Sequence, residues 1–163
     1  MNIPKPQFRK FTPLWLAVGC WLALCGCVYD VPITEKPTRK VDAQFLGNWT
    51  SHDGKTKMKV SQYDDYNYVV IYDGELCHAW SSDVAGTQFF SVKNLDPTDA
   101  GSYGKFYYSV WKLASDGTLH ARGVNDKIVP DATKDSPSVR KLLKANLQNP
   151  DLLGDEAVFV KDK

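Results

Sequence analysis

Apolar and polar positions alternate through residues 55–124, and turn residues interrupt the alternation at short intervals. Lys55, Lys57 and Lys59 alternate with Thr56, Met58 and Val60, which is the period-two pattern of a half-buried strand with a cationic outer face. Tyr66 to Tyr72 is β-branched and aromatic and ends at the hairpin dipeptide Asp73-Gly74, so Leu76 to Trp80 reads as its partner strand. Thr87 to Val92 is a further strand, closed by Asn94 to Pro97. Lys105 to Leu113 is the longest, with Phe106, Tyr108 and Val110 on one face and Tyr107 and Trp111 on the other. Asp116-Gly117 turns it into Thr118 to Val124. Phe45-Leu46-Gly47-Asn48-Trp49 opens the series, ahead of a turn at Asp53-Gly54. About seven strands at this spacing predict a sandwich or barrel.

One segment follows a different period. Val139, Leu142, Leu143 and Leu147 recur at helical spacing, behind Ser136 as N-cap and Pro137 at the first helical position. Asn149-Pro150 stops the helix, and Ala157-Val158-Phe159-Val160 returns as a last strand. The expected fold is therefore mainly β: an antiparallel β-barrel or strongly curved sheet with one C-terminal helix, over residues 44–163. Residues 27–43 hold Pro32, Pro37, Lys36, Arg39 and Lys40 with little apolar periodicity, and they read as a flexible spacer.

The N-terminus has a different composition. Lys5, Arg9 and Lys10 precede an apolar run from Leu14 to Leu24, the parts of a secretory signal. The run ends in Leu24-Cys25-Gly26-Cys27. These four residues resemble the lipobox of bacterial lipoproteins, in which Leu, a small residue, and Gly or Ala precede the modified Cys; Cys25 is an uncommon occupant of the second position. The resemblance implies cleavage of residues 1–26 and a diacylglyceryl thioether plus an N-acyl chain on Cys27. One acyl chain holds a protein marginally and several hold it firmly. Val28 is not the Asp that in this family marks retention at the inner membrane, so the resemblance implies a periplasm-facing outer-membrane protein. The other reading of this segment is an uncleaved anchor helix.

Processing at that site leaves Cys77 as the one remaining thiol. It reads as a small buried apolar residue on a strand; a reactive or metal-binding thiol is the other reading. The chain from Cys27 onward carries 17 basic and 19 acidic side chains. That balance gives no basic patch for nucleic acid.

Gly47-Asn48-Trp49, at the start of the first strand, is similar to the Gly-x-Trp of lipocalins. The resemblance implies a Trp49 that closes a barrel floor and a basic residue packed over it, for which Arg122 is the candidate. The second lipocalin motif, Thr-Asp-Tyr, is absent.

Catalytic constellations are weak. Ser138-Val139-Arg140-Lys141 matches Ser-x-x-Lys of penicillin-binding enzymes, but its partner motifs are missing and a solvated helix face explains it. His52, His78 and His120 are dispersed, and Asp64-Asp65, Asp73 and Glu75 fit turn chemistry. No cofactor or metal is expected. The aromatic crowding is the remaining signal, with Trp49, Tyr107 and Trp111 the candidate residues of a binding surface or barrel interior. The expected role is non-enzymatic: a lipid-anchored protein that binds or assists assembly of an envelope protein partner. The alternative is a lipocalin-like carrier of a small apolar ligand.

Overall fold

The computed structural model describes residues 28–163; the leader, the lipobox and Cys27 lie outside the described residues. Eight strands form a closed antiparallel barrel in sequence order. They are β1 (Gly47–Ser51), β2 (Lys57–Gln62), β3 (Asn67–Tyr72), β4 (Glu75–Val84), β5 (Thr87–Asn94), β6 (Phe106–Leu113), β7 (Leu119–Val124) and β8 (Leu153–Lys161). A helix, α1 (Ser136–Ala145), lies between β7 and β8. The barrel closes through β1 and β8, where Trp49 pairs with Lys161 and Ser51 with Phe159. This is the expected fold class, and it is compatible with a lipocalin-like barrel.

The period-two pattern decides which side chains enter the barrel. Trp49, Met58, Val60, Tyr68, Val70, Cys77, Ala79, Phe90, Trp111, Leu119, Ala121 and Phe159 form one buried cluster inside. Asp73 and Gly74 both take positive φ at the β3–β4 hairpin, the conformation that matches strand twist in a two-residue turn.

A second apolar cluster lies outside the barrel. The outward face of β4–β6, including Trp80, Phe89, Phe106 and Tyr108, is covered by Tyr29, Ile33, Val129, Val139, Leu143 and Leu152. This answers why β6 is aromatic on both faces: Trp111 fills the barrel, and Phe106 and Tyr108 meet the outer layer.

That outer layer includes residues which read as spacer in the sequence. Tyr29 is fully buried, stacks on Tyr108 at 3.8 Å between ring centroids, and donates its hydroxyl to the Val129 carbonyl at 3.0 Å. The backbone of Tyr29 pairs with Phe106. Ile33 is buried, and its N–H donates to Ser91 Oγ at 3.0 Å. Residues 29–34 are therefore wall, because they supply the apolar cover that an outward aromatic face requires.

α1 begins one residue earlier than its sequence signals imply. Asp135 is the N-cap, accepting from the Ser138 N–H at 2.8 Å. Ser136 instead donates its hydroxyl to the Pro32 carbonyl at 2.7 Å, which ties the helix start to the N-terminal segment.

Candidate binding surface

One end of the barrel is sealed. A 3-10 turn at Ala43–Phe45, capped by Asp42, sets the Phe45 ring edge-on to Phe90 and Trp111 at 5.6 and 6.0 Å. Trp49 donates its indole N–H to the Phe45 carbonyl at 2.9 Å, so the floor residue and the plug hold each other. Phe90 and Trp111 stack at 4.2 Å with an interplanar angle of 18°. Such a pair contributes about 0.5–1.5 kcal/mol beyond its burial. Small side chains make room for these rings: Ser81 and Ser109 flank Phe90 in the cross-strand row, and their hydroxyls find no protein partner.

The candidate residues from the sequence thus separate. Trp49 and Trp111 share the barrel core, and each contacts Phe45. Tyr107 shares the inward face of β6 but is half-buried towards the other end, and burial pushes its phenol up from the ordinary value. The cation over Trp49 is Lys161, with Nζ 5.1 Å from the ring centroid. Arg122 points outward and donates to the carbonyls of Gly154 and Leu153, both at 2.8 Å. It cannot reach Trp49, because Ala121 takes the inward position on β7.

Two surface depressions, each about 380 Å³, lie outside the barrel. One is lined by Val84, Ala85, Pro137, Arg140, Lys141 and Lys144, the other by Arg39, Lys40, Asp42 and Gln88. No barrel-interior side chain lines either.

The remaining polar candidates lie on separate elements. Ser138 donates its hydroxyl to its own cap residue, Asp135, at 2.9 Å. His78 and His120 sit on β4 and β7, and His120 pairs with Glu156 at 2.8 Å. Asp64 organises the β2–β3 turn by accepting from the N–H groups of Tyr66 and Asn67, and these bonds hold its carboxyl below the usual range. Cys77 is buried, and burial pushes its thiol up to about 12, with Glu75 and Asp96 adding to the effect. Among the described residues, no group of three or more His, Cys, Asp or Glu is placed to hold a metal.

The comparisons add no family. No protein-family model, no curated protein and no solved structure matches this chain.

The distinctive surface is the outward face of β3 and β4. Ile71 pairs across the strands with Leu76, and Val69 with His78. Ile71 is 39% exposed and Leu76 43%. Tyr63, 72% exposed, sets its ring edge-on to His78 at 6.3 Å and extends the row. Exposed or partly exposed apolar groups therefore run along these two strands, while Trp80, Phe89, Phe106 and Tyr108 on the neighbouring part of the wall are buried under the outer layer. Lys59 on β2 pairs with Ile71, and Lys93 on β5 pairs with His78, which gives the patch a charged rim on both sides. Burial holds the His78 imidazole below its ordinary value, with Lys93 pushing the same way and Asp64 opposing.

Sequence reasoning missed this surface. The signal was present: Tyr68-Val69-Val70-Ile71-Tyr72 is an unbroken apolar run. In an antiparallel strand, such a run puts apolar groups on both faces.

Proposed function

We propose that this chain is a lipid-anchored envelope protein whose barrel is a rigid platform, and that the β3–β4 face binds a protein partner. The observation that carries the reading is the exposed pair Ile71 and Leu76, extended by exposed Tyr63 and by the partly exposed Val69 and His78, on a barrel with a packed apolar core. An apolar centre with a charged rim is the composition of a binding patch. Binding accounts for Asp64 and Asp135, which serve a turn and a helix cap, and for His120, which pairs across the strands with Glu156. The anchor is the lipid on Cys27 that the lipobox resemblance implies, and it sets the protein on the periplasmic side of the outer membrane.

The carrier reading draws its support from the barrel itself and from the plugged floor at Trp49. Against it, the Phe90–Trp111 stack takes up the part of the interior next to the Phe45 plug.

The test is photo-crosslinking in intact cells from a probe at position 71, with recovery by mass spectrometry. One protein partner is expected, and Leu76→Glu should abolish its capture without unfolding the barrel, since Leu76 faces outward. Recovery of only lipid or a small apolar molecule would overturn the reading. Cys27→Ser, in the same cells, should accumulate uncleaved precursor; normal maturation would reject the anchor.

A further inference from the structure

The N-terminal segment leaves no slack between the anchor and the fold. Tyr29 is fully buried and its backbone is paired with Phe106. Only Val28 separates it from Cys27, and two residues of extended chain span at most about 7 Å. A lipid at Cys27 therefore holds the Tyr29 side of the barrel against the bilayer surface.

The charge on that side fits such a surface. Asp30, the acid nearest the anchor, is covered by two cations: it pairs with Lys105, and with Lys134 at 3.1 Å. Those two lysines hold its carboxyl below the usual range. α1 lies alongside, joined to the segment where Ser136 donates to Pro32. Val139 and Leu143 bury one side of the helix against the barrel. Its exposed side carries Arg140, Lys141 and Lys144, and the helix contains no acid. The same three cations, with Val84, Ala85 and Pro137, line a depression of about 380 Å³. The acid adjoining the helix is its N-cap, Asp135, at the end tied to Pro32, so the positive charge is concentrated from Arg140 to Lys144.

We propose that the outer layer formed by residues 29–34 and α1 is a membrane-docking face, resting on anionic lipid headgroups through Arg140, Lys141 and Lys144. This rests on the lipid anchor proposed above. The anchor fixes which side meets the bilayer, and the cations fix its tilt. Cationic side chains near an anionic bilayer are attracted over about a Debye length. The three cations lie beside Val84 and Ala85 at the β4–β5 hairpin, along the same outward face as Tyr29 but towards the other end of β5, so they reach the headgroups when the barrel lies with this face on the bilayer. The orientation leaves the β3–β4 patch on the flank, free for a partner.

The test uses the full-length protein purified from membranes and reconstituted into vesicles of phosphatidylethanolamine and phosphatidylglycerol, with a trace of lipid carrying a headgroup nitroxide. A fluorophore is placed at Ala145→Cys on α1 or at Asn48→Cys on β1, on the far wall; both positions are exposed, and native Cys77 is buried. Strong quenching at 145 and little at 48 is expected. Reversal of the three cations to Glu, or vesicles of pure phosphatidylcholine, should each remove most of the quenching at 145. Intact mass of the same preparation reports the lipid adduct. Equal quenching at both positions with the adduct present overturns the docking face and leaves the anchor standing. Quenching at 145 that survives both the reversal and the neutral lipid overturns the anionic partner. Absence of the adduct overturns the anchor, and this inference with it.

Discussion

Gly47 shows how much one residue can fix. Its φ is +136°, and a Cβ built there lies 2.7 Å from Lys161 Cε, the side chain that covers Trp49. Gly47→Ala is expected to cost about 1–3 kcal/mol, because an L-residue is strained at that φ whatever its neighbours do. Adding Lys161→Ala should recover only the part due to the clash, and urea unfolding midpoints of the two variants would separate the parts. The Gly-x-Trp pattern was legible in the sequence because its residues are adjacent. Its cation was not, since Lys161 reaches Trp49 only once β8 closes on β1. Cys77 gives a second residue-scale test. The ordinary thiol value is 9.0, and burial raises the folded one to about 12. Below that window both states keep the proton. Within it the unfolded chain ionises and the folded chain does not, so stability falls as pH rises. Cys77→Ala should flatten the decline, and a slope equal to that of the parent protein would refute a role for the thiol.

At the scale of elements, the strands were readable and the outer layer was not. β2 to β7 follow local alternation and turn dipeptides, which a reader of the chain can see. The segment at 29–34 was obscured by Pro32, Glu35 and Lys36, although Tyr29, Val31 and Ile33 alternate with Asp30, Pro32 and Thr34. What makes that segment structural is the aromatic face of β6, distant in sequence. Its energetic weight is testable. Tyr29→Ala removes a buried ring, its stack on Tyr108 and the hydroxyl bond to Val129. A loss of about 3–5 kcal/mol is expected, as for other buried aromatics. Lys36→Ala, seven residues on and exposed, should change stability by no more than about 0.5 kcal/mol. Equal and small effects from both would return the segment to the status of a tether. The same logic explains α1: its apolar spacing was visible, but Asp135 caps its start while Ser136, which reads as the cap in the sequence, bonds to Pro32.

For the whole molecule, the question is whether the barrel is a container or a scaffold. Phe45 seals one end, and Phe90 and Trp111 occupy the middle. The β3–β4 patch and the α1 face are both carried by one closed barrel with a packed core. The fold alone does not distinguish this from a carrier, but an enlarged interior does. Trp111→Ala should destabilise by about 3–5 kcal/mol and leave an apolar hole beside Phe90, Phe45 and Tyr68. Apolar holes of this kind stay dry and accept small aromatic molecules. Indole should therefore raise the melting temperature of Trp111→Ala and leave that of the parent protein unchanged, because only a species that binds the folded state is stabilised. The parent result is the decisive one. A parent barrel that took indole as well as the variant does would have room that the Phe90–Trp111 stack denies it, and the case for a partner-binding scaffold over a small-molecule carrier would lose its footing.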